Sequence, residues 1–254
     1  MTSFDSVKLM IPRSIRGFLY AIYQPLRLHL APAYNEDGII TDRNCDFLEE
    51  PSFKAAEQIA RDLGIAHDSR WRCYIACWAA DWASRLDGDF VECGVNTGYM
   101  SRTIMEYVHF SQLKHRFYLL DTFTGVSAKY ATTREIAAGR DLNVYAGTYE
   151  QACRTFATFP NVKIIRGTVP DTLSEVDATR VAYLSLDMNA TLPEIAAAEF
   201  FWPKLIPGGV MLLDDYGYPG YEEVKSAYDS FAKARCVRVL SLPTGQGLII
   251  KPLS

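Results

Sequence analysis

Two short apolar runs, each closed by carboxylates, constrain the fold of this chain most: Tyr183-Leu-Ser-Leu-Asp187-Met-Asn189 and Val210-Met-Leu-Leu-Asp214-Asp215-Tyr216-Gly217. Runs of this length, rich in branched residues and ended by a turn, read as buried parallel strands. In an open α/β sheet, ligands bind outside the carboxyl ends of the strands. Asp187, Asp214 and Asp215 are therefore expected to meet at one edge of the sheet. Three carboxylates that close repel each other unless a cation lies between them, and Mg2+ favours such all-oxygen sites. Taken singly, each Asp also suits a helix cap.

The same grammar recurs upstream. Asp89 to Glu92 runs into Cys93-Gly94-Val-Asn96-Thr-Gly98-Tyr-Met-Ser101, and Tyr99 to Val108 has a helical pattern. A strand, a glycine loop and a helix form the ligand-binding corner of doubly wound sheets. The spacing is Glu-x-Gly-x-x-x-Gly, so the dinucleotide fingerprint Gly-x-Gly-x-x-Gly is not met. Glu92, just before the loop, suits a ligand carrying a cationic amine. Arg116 to Asp121 is the next strand, and an Asp there can accept both hydroxyl hydrogens of a ribose. A turn cap is the alternative for Asp121.

Residues 122–147 show no clear period, and a long irregular segment beside a ligand site reads as a lid. Tyr149 to Phe159 reads as a helix and Val162 to Ile165 as a strand. Gly167-Thr168-Val169 then leaves that strand where an adenine ring could lie, and Asp171 is expected to cap a helix. Helices over Pro193 to Trp202 and Tyr221 to Ala234 flank the fifth strand. Val237 to Leu242 and Gly247 to Ile250 are expected to form a closing hairpin. The fold class is thus α/β, a doubly wound, mostly parallel seven-stranded sheet with a C-terminal antiparallel hairpin.

Before the sheet, residues 1–67 read as an N-terminal helical arm. Its first part mixes apolar positions such as Ile15, Phe18 and Ile22 with Lys8, Arg13, Arg16 and Arg27, and Pro12 and Pro25 break it. Such an arm packs on its own domain or on a second subunit more often than on a membrane. Ala31 to Thr41 is loop-like. Pro51 to Leu63 and Asp68 to Leu86 read as helices, the second carrying an aromatic stripe, with Trp71 and Trp78, assigned to the core.

At 254 residues and 49% hydrophobic, the chain suits one large α/β domain with an appended helical segment. A net charge of −4 gives no sign of a nucleic-acid partner. The six cysteines form no CxxC pair and read as reduced core thiols. With no secretory signal and no membrane-spanning run, the expected location is cytoplasmic.

These motifs, in this order, resemble the class I S-adenosylmethionine-dependent methyltransferases, whose fold is Rossmann-like. The likeness covers about Asp68 to the C-terminus. More closely, Gly88-Asp-Phe-Val-Glu-Cys-Gly-Val, Leu120-Asp-Thr-Phe-Thr-Gly125 and Pro207-Gly-Gly-Val-Met-Leu-Leu-Asp-Asp-Tyr-Gly217 are similar to the macrocin O-methyltransferase family. That family includes mycinamicin and novobiocin sugar O-methyltransferases and uses Mg2+. The resemblance implies an enzyme that methylates a hydroxyl of a small natural product, a sugar or other vicinal diol, with S-adenosylmethionine and Mg2+. It implies residues 68–254 as the catalytic domain and a homodimer or larger homo-oligomer.

Carried over by position, Glu92, Gly94, Asn96, Gly98, Ser101, Asp121, Thr122, Thr168 and Val169 would bind the cofactor. Asp187, Asp214 and Asp215 would bind the metal, and Asp187 would also be the catalytic base. Asn189, Tyr216, Tyr218, Lys129, Tyr130 and Arg134 are candidate acceptor contacts. Asn189 is a departure, since the family usually has a second acid there, and an amide cannot be a general base. A catechol-type phenol O-methyltransferase, a metal-independent N-methyltransferase and a non-catalytic cofactor-binding protein are the alternatives.

Overall fold

A computed structural model describes residues 31–140 and 147–253, with Ile15, Gly17, Phe18, Ala21, Tyr23, Leu28 and Leu30 before them. Those seven are helical; the rest of the basic N-terminal stretch lies outside the described residues. The chain divides into two compact units, Met1–Phe47 and Leu48–Ser254.

In the first unit, β1 (Tyr34–Glu36) pairs antiparallel with β2 (Ile39–Thr41). Asp37 and Gly38 turn between them with φ of 53° and 75°. Two successive positive φ values make the tight turn whose twist suits a hairpin, and Asp-Gly is a favoured pair for it. The segment read as a loop is therefore a hairpin.

The second unit contains α1 (Pro51–Asp62), α2 (Arg70–Ser84), β3 (Asp89–Cys93), α3 (Tyr99–Tyr107), β4 (Phe117–Asp121), α4 (Thr133–Ala137), α5 (Tyr149–Phe156) and β5 (Val162–Arg166). Then come β6 (Val181–Leu186), α6 (Thr191–Phe201), β7 (Leu205–Leu213), α7 (Glu222–Ala234), β8 (Leu240–Ser241) and β9 (Gly247–Ile250). The sheet order is β5-β4-β3-β6-β7-β9-β8. The pairs from β5 through β7 are parallel, and β9 runs antiparallel to both its neighbours. The expected seven-stranded sheet and closing hairpin are both present. The order reverses between β3 and β6, which is where a doubly wound sheet opens a ligand crevice.

Strand residues alternate between faces. Val91, Cys93, Leu184, Leu186, Met211 and Leu213 join Ala197, Phe201, Val224 and Phe231 from α6 and α7 in one buried cluster. The alternate positions lie on the other face, where Phe90 meets Phe110 and Tyr183 with ring centroids 5.2 Å apart in each case.

Helix α2 differs from its sequence reading. Its buried stripe is Cys73, Ala76, Cys77 and Ala80, all fully buried, whereas Trp78 and Trp82 are 46% and 44% exposed. Small side chains at i, i+3, i+4 and i+7 let the helix approach its neighbours closely, which leaves no room inside for indoles. Trp82 instead donates its Nε1 hydrogen to the Gly208 carbonyl at 2.9 Å. All six cysteines are free, and Cys45, Cys73, Cys77 and Cys93 are buried. Among the described residues, no helix is long and apolar enough to cross a membrane.

Candidate active site

Strand register brings the acids together. Cys93 pairs with Leu120 on one side and Leu186 on the other, and Leu186 pairs with Leu213. The next residue of each strand continues the ladder. Gly94 N–H donates to Leu120 O at 2.8 Å, Asp187 N–H to Cys93 O at 2.8 Å, and Asp214 N–H to Leu186 O at 2.9 Å. Asp121, Gly94, Asp187 and Asp214 therefore stand in one row beyond the strand ends. Gly94 has φ +97°, and a Cβ on it would lie 2.5 Å from the Asp187 carbonyl carbon and closer still to its oxygen. The row closes only around a residue without a side chain.

One carboxylate oxygen from each of Asp187, Asp214 and Asp215 lies within 4.8 Å of the others. Asp214 and Asp215 are buried and Asp187 is half-buried. Burial and then the charges of Asp214 and Asp215 push Asp187 well above the usual carboxylate range, against the pull of Arg72. Burial raises Asp215 likewise, followed by Glu194 and Asp214. Asp214 is engaged on both sides. Arg72 of α2 donates to its Oδ2, and Gln246 Nε2 donates to its Oδ1 at 2.9 Å. Asp215 Oδ2 is buried and accepts no hydrogen bond from the described residues. A buried carboxylate oxygen left without a donor is costly. A hard divalent cation is a group this donor set fits, with the Arg72 pair opposing it.

The glycine corner is ordered by Asp121. Its Oδ2 accepts from Val95 N–H at 2.6 Å and Asn96 N–H at 2.8 Å, and its Oδ1 from Phe123 N–H at 2.6 Å. Asn96 and Phe123 both hold positive φ, 52° and 56°. Asp121 thus caps two turns: Oδ2 already accepts two bonds, while Oδ1 retains acceptor capacity for a ribose hydroxyl. Thr122 folds its hydroxyl onto Gly125 O at 2.7 Å. Glu92 is buried and accepts from the Ser101 hydroxyl of α3. Burial, then Asp187, Asp214 and Asp121, hold its pKa well above the usual range. Gly98 begins α3 at φ +93°, where a Cβ would strike the Phe156 ring at 2.6 Å.

The described part of the segment expected to be a lid, residues 122–140, is held by hydrogen bonds. Thr132 and Glu135 form a reciprocal cap at the start of α4. Glu135 Oε1 also accepts from Thr191 N–H at 2.8 Å and Thr191 Oγ1 at 2.7 Å, so one buried acid caps α4 and α6 together. Burial raises Glu135, but donation from Thr132 and Thr191 outweighs it and holds the pKa below the usual range. Arg140 donates to Asn189 O at 3.3 Å and lies 3.6 Å from the Tyr221 ring centre. Tyr221 donates to Asn189 Oδ1 at 2.5 Å, and Asn189 Nδ2 lies 3.4 Å from Asp187 Oδ1. Residues 141–146 of the lid lie outside the described residues.

The candidate acceptor residues spread out. Asn189 stands beside Asp187. Tyr218 lies under the Arg72 guanidinium, 5.3 Å from it. Tyr216 is buried and donates to Asp229 Oδ1 at 2.5 Å, toward α7. Arg134 is exposed near Glu222 and Glu223, at 3.7 and 3.6 Å. Lys129 and Tyr130 both donate to Asp171, at 2.8 and 2.5 Å. Asp171 is therefore not a helix cap; Thr172 precedes the short turn Leu173–Glu175 instead. The clasp lies beside Thr168 and the buried Val169, which follow β5. Sequence reasoning missed Arg72, Gln246, Tyr221 and Glu194. It named Arg140 only as part of the lid, and Glu135 carried a legible Thr-x-x-Glu cap.

Glu194 supplies a pH prediction. It is fully buried and accepts from Met188 N–H, Asn189 N–H and the Tyr228 hydroxyl. Burial dominates and raises its pKa to about 8, and Glu92 is raised in the same direction. The folded state thus holds protons that the unfolded state releases between the ordinary glutamate value and the raised one. Their stabilising effect is complete below the unfolded value and fades as pH rises through the folded one. The metal-free protein is expected to melt about 5 °C or more lower at pH 8.5 than at pH 6. A flat or rising melting profile by circular dichroism would contradict that assignment.

The fold and the site together define a Rossmann-like methyltransferase architecture, with a glycine corner and three strand-end acids. Residues 66–240, well over half of the chain, match the macrocin O-methyltransferase (TylF) family, and the chain belongs to that family. A curated relative, the 8-demethyl-8-(2,3-dimethoxy-alpha-L-rhamnosyl)-tetracenomycin-C 4'-O-methyltransferase of Streptomyces olivaceus, is 29% identical over 145 residues. The match takes in 53% of this chain and 55% of that protein, so the chain spans about half the length of the relative. The solved O-methyltransferase NovP superposes with a TM-score of 0.64 at 17% identity, over 81% of this chain and 96% of NovP. An O-methyltransferase from Bacillus cereus, solved in complex with SAH, gives a TM-score of 0.52 at 14% identity over 91% and 97% of the two chains. At these identities the two structures speak to the fold.

Proposed function

We propose that the chain methylates a hydroxyl of a small natural product, a sugar or other vicinal diol, using S-adenosylmethionine and a divalent cation, Mg2+. The observation that carries this is the row of strand-end carboxylates beside the glycine corner, with the buried Asp215 Oδ2 left without a donor. Family membership supports the methyl chemistry, and the rhamnosyl acceptor in the curated relative's name supports a sugar.

Each part of the reaction falls to a residue of this site. Glu92 lies in the cofactor corner, where an ammonium would restore the charge that burial suppresses. Gly94, Asn96 and Gly98 let the backbone approach the amino-acid portion closely. Asp121 accepts a ribose hydroxyl with the remaining lone pair of Oδ1, and Thr168 and Val169 border the base. Asp187, Asp214 and Asp215 hold the cation. When bound, the cofactor supplies a methyl group already activated on sulfur, and the cation acidifies and orients the acceptor hydroxyl. The chain must then align oxygen, carbon and sulfur. Asp187 accepts the hydroxyl proton, because Asn189 cannot, as the oxygen–carbon bond forms and the carbon–sulfur bond breaks, its electron pair leaving on sulfur as a neutral thioether. Tyr221 and Arg140 fix Asn189 as an acceptor contact.

Calorimetric titration of S-adenosylhomocysteine into wild type and Asp121→Ala tests the corner. Micromolar binding is expected for wild type, weakened about 100-fold in the variant, as for one lost hydrogen bond to a charged group. No binding to wild type removes the cofactor reading. Methyl transfer that survives a chelator removes the cation.

A further inference from the structure

We propose that Arg72 is a built-in counter-ion of the acid cluster that exchanges with the divalent cation at Asp214 and so sets how tightly that cation is held. The inference rests on the cation reading given above. Asp214 is buried, and each of its oxygens already has a donor: Arg72 Nη1 donates to Oδ2, and Gln246 Nε2 donates to Oδ1 at 2.9 Å. Gln246 is itself fully buried, and its Oε1 accepts from the Thr244 hydroxyl at 3.0 Å. That bond orients the amide so that its nitrogen faces Asp214. Gln246 is thus a fixed partner and Arg72 the exchangeable one.

The arginine side chain is 21% exposed, against 2% for Asp214. Its guanidinium already lies 5.3 Å from the Tyr218 ring centre, a face that can hold the cationic head once it leaves the carboxylate. Among the described residues, Asp215 Oδ2 has no such partner. A guanidinium and a divalent cation at Asp214 Oδ2 carry like charge. At separations of a few ångströms in a partly buried site, their repulsion is strong. Cation entry through Asp187 and Asp215 therefore drives Arg72 off Asp214, and the cost of that exchange weakens the observed affinity.

The test is Mn2+ binding to the full chain, read from the paramagnetic resonance signal of the free ion. Wild type is compared with Arg72→Gln, Arg72→Lys and Asp215→Asn. Arg72→Gln is expected to bind Mn2+ at least about tenfold tighter than wild type. Arg72→Lys, which keeps the charge and loses the planar fork, is expected to fall between them. Asp215→Asn is expected to lose binding. In chelator, Arg72→Gln is expected to melt below wild type, because Asp214 is left unpaired, and to gain more from added Mn2+. Equal or weaker Mn2+ binding by Arg72→Gln overturns the exchange and leaves the cation reading standing. If Arg72→Gln does not fold, equal or weaker binding by Arg72→Lys overturns it. Absence of Mn2+ binding in wild type and arginine variants alike removes the cation reading and the inference with it.

Discussion

Asp187→Asn is expected to lower methyl transfer by about three orders of magnitude, the middle of the range for a lost general base, while raising the melting temperature of the metal-free protein. The two effects share one cause. Asp187 directly follows β6 beside Asp214 and Asp215, and burial together with those charges pushes its carboxyl well above its ordinary range. An isosteric amide removes one of three repelling charges, which stabilises the apo fold by about 1 kcal/mol, or about 2–4 °C. The same amide cannot take a proton and binds a cation poorly. S-adenosylhomocysteine affinity should change little, since Asp121 and the glycine loop are untouched. The check is turnover of a hydroxylated acceptor, with a thermal melt and the ligand titration on one preparation. Activity above a tenth of wild type would remove Asp187 from the chemistry.

Gly94→Ala is expected to destabilise the protein by about 3 kcal/mol or more and to abolish S-adenosylhomocysteine binding. Two costs add. The residue sits at φ +97°, a conformation side chains rarely adopt, and the new Cβ meets the Asp187 backbone. Backbone at the end of a paired strand cannot give way as a flexible side chain does. β3 and β6 would have to part where Asp187 N–H donates to Cys93 O at 2.8 Å. The melting temperature should fall by about 10 °C. A variant that melts within 2 °C of wild type, within the scatter expected for a neutral surface change, would show that the strand ends are not locked in this way.

Several features were legible because they are local. The apolar runs ending at Asp121, Asp187 and Asp214 needed only strand periodicity and a stop signal. The glycine spacing after Glu92 excluded a dinucleotide loop before any coordinates. Two local signals went unread. Asp37-Gly38 is a hairpin turn, and Thr132 with Glu135 is a capping box inside the segment assigned to the lid. The aromatic stripe of α2 misled, because large apolar residues need not face inward when alanines and cysteines supply a closer fit. Asp171 looked like a helix cap until Lys129 and Tyr130 were found on it, about forty residues away in sequence.

By itself, the sequence determined the order of strands and helices, the parallel sheet, and the acids and glycines at its strand ends. Each of these follows from forces acting within a few residues: side-chain alternation, backbone freedom at glycine and helix capping. The tertiary structure alone decided how those acids are held. Arg72 reaches Asp214 across 142 positions and Gln246 across 32. Tyr221 meets Asn189 across another 32. A buried carboxylate takes whatever donor the packing brings within hydrogen-bond reach, and no local pattern in a single chain encodes which distant residue that will be.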